Sequence, residues 1–169
     1  MSAPNAASAR EDRFHSLTPA SLSIAEQSSV VALALKVLSG RFRRGRTVNA
    51  PQEVQQFLRL KLSGRRNEVF GVIFLDARNR LIQIAELFHG TVDGAAVYPR
   101  VVVQKALDNN AAAVILVHNH PSNISEPSEA DRGITLKLGR ALALVDIRLL
   151  DHLVVTDSSF VSLADRGWI

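Results

Sequence analysis

The chain contains no cysteine, which excludes a disulfide framework and any cysteine-ligated zinc site. Aromatic residues make up only 5% of it, with a single tryptophan and a single tyrosine, so a core must be built mainly from Val, Leu, Ile and Ala. No apolar run is long enough to cross a bilayer, and no transmembrane helix is expected. The opening stretch MSAPNAASAREDRF is polar and lacks the apolar segment of a secretory signal, which makes a cytoplasmic protein the default expectation. What is present suits a globular fold. At 169 residues, 47% of them hydrophobic, the chain fits one domain with a modest extension.

The net charge of +4 is unevenly distributed. Residues 1–66 carry eleven Lys/Arg against four Asp/Glu, whereas residues 67–169 carry nine against twelve. The basic excess lies in two clusters, Arg41, Arg43, Arg44 and Arg46, then Arg59, Lys61, Arg65 and Arg66. Such clusters can attract phosphate backbones or acidic partners. A solvated loop and helix face accounts for them equally simply, and the interleaved aromatics of a base-stacking surface are absent, with Phe42 nearly alone. Nucleic-acid contact through Arg41, Arg43, Arg44 and Arg46 is therefore an open expectation.

Residues 1–20, rich in Ala, Ser and Pro, read as a flexible tail, residues 21–62 as a helical extension with a basic loop, and residues 63–169 as the main domain. Ser23 and Glu26 form a capping-box pair that starts a helix, with Val30, Val31, Ala34, Leu35 and Leu38 on its apolar face and Ser39-Gly40 at its end. A second helix starts near Pro51 with Asn49 as N-cap, turns Val54, Phe57, Leu58 and Leu62 inward, and closes at Ser63-Gly64. The pattern then changes. Residues 68–75 and 81–88 predict an antiparallel hairpin, Pro99 opens a helix to about Asp108, and the apolar run 112–118 predicts a central strand covered on both faces. A long helix from Ser128 to about Leu144 and extended segments at 146–156 and 160–163 complete an α/β pattern.

The segment HNHPSNISEPSEAD, residues 118–131, carries the chemistry. Side chains two apart on a strand point to the same side, so His118 and His120 can aim both imidazoles into one space at the carboxyl end of the central strand, where ligands of open α/β sheets collect. Asn119 points the other way, and the loop after Pro121 can bring Ser128 and Asp131 back over the histidines. Two imidazoles and one carboxylate suit catalytic zinc, with a fourth position left for water. Ser128 and Asp131 also have the spacing of a helix-capping pair, which explains those two residues as well as a metal site does but leaves the paired histidines unexplained.

His118, His120, Ser128 and Asp131 match, without a gap, the JAMM signature His-x-His, seven residues, Ser, two residues, Asp of the MPN/JAB metallohydrolase superfamily. The stretches NEVFGVIFLDARNRLI, GTVDGAAVYPR, KALDNNAAAVILVHNHPS, PSEAD and LVDIRLLDHLVV resemble the RadC family in particular, over roughly the last hundred residues. The short N-terminal part looks like that of small RadC-like proteins of prophage and plasmid regions, without the Gly-rich hairpin of a helix-hairpin-helix. The resemblance implies a cytidine-deaminase-like mixed sheet flanked by helices. It also implies His118, His120 and Asp131 as ligands of Zn2+, Ser128 as hydrogen-bond partner of the nucleophilic water or the oxyanion, and Glu68 as general acid/base. Glu86, on the partner strand, is the competing acid/base candidate. Asn123 stands where such sequences usually have glycine, and Asn tolerates the left-handed backbone needed there. His152, in LLDHLVV, is expected to make a structural hydrogen bond near the site rather than to ligate metal.

Two look-alikes are excluded. HNH nucleases spread their motif over a ββα unit, and zinc nucleotide deaminases need a Cys pair that this chain lacks. Two function classes remain: a zinc hydrolase acting on a peptide or other amide bond, and a DNA-associated accessory factor using the basic N-terminal region.

Overall fold

The computed structural model describes residues 14, 16–47, 51–62 (without side chains for 51–53), 64–91 and 95–169. The expected N-cap Asn49, the closing Ser63 and most of the expected tail lie outside the described residues. The chain divides into two compact units, one ending at Ala34 and one running from Leu35 to Ile169.

A 3-10 turn at Pro19–Ser21 precedes helix α1, Ile24–Arg41, of which the part up to Ala34 belongs to the first unit. Ser23 and Glu26 cap α1 reciprocally: Glu26 Oε2 accepts from Ser23 N at 2.8 Å, and Ser23 Oγ accepts from Glu26 N at 3.4 Å. Val30 and Val31, on the expected apolar face, are 40% and 44% exposed. Helical spacing predicts an apolar stripe but does not supply a surface to cover it. The helix also continues through Ser39-Gly40 to Arg41, since an isolated helical Gly costs only about 1 kcal/mol relative to Ala.

The second unit is built on a five-stranded sheet of order β2-β1-β3-β4-β5, with β1 Val69–Leu75, β2 Leu81–His89, β3 Ala113–Asn119, β4 Arg148–Val155 and β5 Phe160–Ser162. Only β3 and β4 pair in parallel; the other neighbours are antiparallel. Helices α2 (Pro51–Leu62), α3 (Pro99–Asp108) and α4 (Glu129–Ala143) complete the α/β architecture. No helix among the described residues is long and apolar enough to cross a membrane.

Alternation along the strands divides the core in two. Val69, Ile73 and Leu75 of β1, with Ala113 and Val117 of β3, pack with Val54, Phe57, Leu58 and Leu62 of α2 and with Leu35, Leu38 and Phe42. Phe70, Val72 and Phe74, with Val114 and Leu116, pack with Val102 and Ala106 of α3 and Leu138 and Leu142 of α4. Covered on both faces, β1 is buried at every position, which is why it reads as a continuous apolar run. The α2 positions expected to face inward all do so, and α2 thereby belongs to the main core.

Two local features set the register. Between β3 and β4, Val114 pairs with Leu149 but Ile115 pairs with Asp151, so Leu150 is an extra residue and the facing of β4 reverses beyond it. His152 thereby comes to the α4 side of the sheet. At Gly71 of β1, an added Cβ would stand 3.0 Å from Ala85 O of β2 and 3.2 Å from Val117 Cγ1. Gly71→Ala is expected to lower stability by about 1–3 kcal/mol through this crowding, read from urea denaturation; stability equal to that of the parent chain overturns the argument.

The β1–β2 turn is organised by Asp76. Its Oδ1 accepts from the backbone N–H groups of Arg78 and Arg80, both at 2.9 Å, and its Oδ2 from Arg80 Nε at 2.6 Å. The Arg80 N–H hydrogen bond, acting against burial, holds the Asp76 carboxyl below its ordinary value. A depressed folded-state pKa contributes stability above the unfolded carboxyl's pKa, and that contribution is lost as pH falls through the folded value. Asp76→Ala should therefore lower Tm at neutral pH, with the gap to the parent chain closing in acid; a gap independent of pH contradicts this.

Candidate metal centre

The strand parity that divides the core also builds the site. His118 follows Leu116 on the face of β3 that looks towards α3 and α4, and it is fully buried. His120, just beyond the strand end, faces the same way and is held by a hydrogen bond from its backbone N–H to Val155 O at 3.0 Å. Their Nε2 atoms stand 2.9 Å apart.

Asp131 arrives from the first turn of α4. Ser128 is the N-cap, and its Oγ accepts from Asp131 N at 3.1 Å, while Asp131 Oδ2 accepts from Ser128 N at 2.7 Å and Ser128 Oγ at 2.6 Å. The cap thus occupies Oδ2 and leaves Oδ1 directed at His118 Nε2, 3.1 Å away. Helix capping and convergence on the histidines are two uses of one carboxylate. The chain reaches α4 through a loop in which Asn123 has φ 60°, the left-handed conformation expected of it.

The ring nitrogens facing away from the centre determine what the others can do. His120 Nδ1 lies 2.7 Å from Ile124 O, a group that only accepts, so Nδ1 carries the proton. His118 Nδ1 lies 2.9 Å from His152 Nε2, and His152 Nδ1 lies 2.6 Å from Thr135 Oγ1, which donates to Asp131 O at 2.5 Å. Since Thr135 spends its proton on that carbonyl, it accepts from His152 Nδ1–H; neutral His152 then accepts at Nε2 from His118 Nδ1–H. Burial first, and the neighbouring His118 next, hold His152 well below the ordinary histidine pKa and hence neutral.

In the neutral form with the proton on Nδ1, His118 and His120 each present an Nε2 lone pair to the same point, beside a carboxylate. Two lone pairs 2.9 Å apart repel, and a metal ion or a proton at their convergence relieves them. One ligand atom from each of His118, His120 and Asp131 lies within 4.8 Å of the others, and this donor set could bind a metal ion. The same field acts on protons. When Nε2 carries a proton instead, burial opposes ionisation of Asp131, yet the hydrogen bonds from His118 and His120 outweigh it and hold the carboxyl far below its usual range. His120 is raised, chiefly by its hydrogen bond to Asp131 and despite burial, with the Glu68 charge contributing.

Glu68 lines the cleft of about 380 Å³ beside the triad, together with Phe70, Val97, Ser128 and Ile134. Glu86 does not line it: its carboxylate pairs with Lys61 at 3.2 Å and Arg65 at 3.5 Å. Asn119, pointing to the opposite face of β3, accepts from Val69 N at 2.8 Å and donates to Asn67 O at 3.2 Å. It thus holds the backbone on both sides of Glu68. Sequence reasoning did not identify the parts played by Asn119, Thr135 and Phe70. The spacing that put Asn119 on the far face was visible, but its partners lie some fifty residues away.

The profile of the RadC-like JAB domain matches residues 48–168, most of the chain. The protein belongs to the RadC family. This RadC-like chain is 48% identical over 145 residues to a UPF0758 protein of Stutzerimonas stutzeri, covering 86% of the chain and 65% of that relative. It is 53% identical over 141 residues to one of Cellvibrio japonicus, covering 83% and 63%, and 53% identical over 145 residues to one of Vibrio cholerae, covering 86% and 91%. The chain thus spans slightly under two thirds of the length of the first two relatives.

Ser128→Ala removes the acceptor for Asp131 N and one donor to Asp131 Oδ2. A stability loss of about 1 kcal/mol in urea denaturation is expected from the broken cap, with Ser128→Thr largely preserving it. Equal losses in the two variants would contradict the capping role.

Proposed function

We propose that this RadC-like domain is a zinc-dependent hydrolase of an amide bond, a metallopeptidase or isopeptidase. The observation that carries this reading is the convergence of two imidazole Nε2 atoms and Asp131 Oδ1 beside a cleft that Glu68 enters. His118, His120 and Asp131 would hold the ion, and this nitrogen- and oxygen-donor set suits zinc. Bound zinc supplies Lewis acidity and lowers the pKa of a coordinated water towards about 7. The chain's own residues then divide the remaining work. Glu68 takes a proton from the attacking water and delivers it to the leaving amine. Asn119 keeps the strand bearing Glu68 in place. Ser128, on the cleft wall, can accept from the attacking water, or turn its hydroxyl from Asp131 Oδ2 to the developing oxyanion, and Phe70, Val97 and Ile134 form the apolar side against which substrate lies.

Elemental analysis of the purified protein is expected to find one zinc per chain, lost in His118→Ala and Asp131→Ala. Against a panel of peptide and isopeptide amides, Glu68→Gln should keep the metal and lose roughly 100-fold or more of any activity found. Absence of stoichiometric metal from zinc-treated protein, or undiminished cleavage by Glu68→Gln, would sink the reading.

A second reading, contact with nucleic-acid phosphates, is favoured by one arrangement. The basic loop docks on the β1–β2 turn: Gly45 N donates to Leu81 O and Leu81 N to Arg46 O, both at 2.8 Å, and Thr47 bridges to Arg80. The loop that carries the exposed Arg43, Arg44 and Arg46 thereby borders the turn that carries the exposed Arg78, and Arg148 Nη2 bonds to Asn79 Oδ1 of that turn at 3.2 Å. Duplex binding that weakens steeply with salt, and that is lost when Arg41, Arg43, Arg44 and Arg46 are all replaced by Ala, is the expected result; no binding even at low salt removes this reading.

A further inference from the structure

We propose that His152 and Thr135 are positioning residues whose one-way hydrogen-bond relay locks His118 in the Nδ1–H tautomer and so presents its Nε2 lone pair to the metal. The inference rests on the metal-centre reading but concerns residues outside the triad. A neutral imidazole has two tautomers, and only one exposes Nε2 as a donor atom. In solution they interconvert freely, so a buried ligand needs a neighbour that tells them apart.

Here that information starts at a backbone carbonyl. Asp131 O can only accept, which commits the Thr135 hydroxyl proton to it at 2.5 Å. Thr135 Oγ1 must then accept from His152 Nδ1, at 2.6 Å. His152 Nε2 in turn must accept from His118 Nδ1, at 2.9 Å. No link can reverse while the carbonyl remains the end of the chain. Both relay residues are buried, His152 fully and Thr135 to within 1%, so water does not compete for the bonds. The edge of the His152 ring also meets Phe70, centroids 5.5 Å apart, and Phe70 stacks on His118 at 14°, which fixes both ring planes.

The relay has a second effect. It starts on α4, one turn beyond the carboxylate of Asp131, crosses β4 and ends on β3. The helix that brings the carboxylate and the strand that brings the first imidazole are thus tied to each other through the relay, not only through the cap at Ser128.

The test separates this tautomer role from ordinary packing. A glutamine at 152 can accept from His118 with its carbonyl and donate to Thr135 with its amide, keeping the direction of the relay, whereas leucine fills the space and keeps neither bond. Zinc affinity is measured by chelator competition on the full chain, and the His118 tautomer by long-range 1H–15N NMR on zinc-free protein. The expected results are Nδ1-protonated His118 in the parent chain and in His152→Gln, with zinc affinity within a few-fold between them. In His152→Leu and in Thr135→Val, mixed His118 tautomers and a zinc affinity roughly 10- to 100-fold weaker are expected. Thr135→Val, nearly isosteric, carries the comparison if His152→Leu does not fold. Unchanged zinc affinity in Thr135→Val or His152→Leu, or a parent His118 protonated at Nε2, overturns the relay. A parent chain with the expected tautomer that takes up no zinc would instead overturn the metal-centre reading and leave the relay standing.

Discussion

A fully buried imidazole must have both ring nitrogens satisfied, and the structure around His118 is organised by that requirement. One nitrogen is answered from within the protein, by His152. The other faces His120 and Asp131, neither of which offers it an unambiguous neutral partner. The protein therefore spends buried volume, in a core otherwise filled by Val, Leu, Ile and Phe, on an arrangement that calls for a cation. Leaving polar groups in that condition costs stability, and such a cost is found where a site is built for a ligand.

The rest of the main unit positions that imidazole. A parallel β3–β4 pair needs a crossover, and here the crossover is α4, whose first turn carries Asp131 over the strand end. One extra residue in β4 reverses its facing and brings His152 beneath His118 instead of into the α2 side of the core. The antiparallel neighbour β1 brings Glu68 to the same end of the sheet, held there by the amide of Asn119. Each member of the HNH triplet thus has its own task. The outer two look into the centre, and the middle one fastens the strand that supplies the carboxylate beside it.

Strand alternation, the i/i+2 spacing of His118 and His120, and the Ser128–Asp131 cap were all readable, because each is a local periodicity or a local hydrogen bond. The left-handed backbone at Asn123 was readable for the same reason. The family resemblance pointed to Glu68 over Glu86, but residue spacing did not separate two carboxylates upstream of the motif, one just before β1 and one on β2. Tertiary contacts separate them: Glu86 is engaged by Lys61 and Arg65, and Glu68 opens onto the cleft. Val30 and Val31 differ from the rest of their apolar face: they are 40% and 44% exposed, whereas Leu35 and Leu38 pack against the core.

By itself the sequence determined the family, the α/β class and the three residues that meet at the centre, because a motif of fourteen residues carries its own geometry through strand and helix periodicity. Only the tertiary structure decided which nitrogen of each histidine faces inward, and that Thr135 and His152 stand behind His118. Those depend on partners 17 and 34 residues apart in the chain, brought within hydrogen-bonding distance by a register shift whose effect is invisible until the strands are paired.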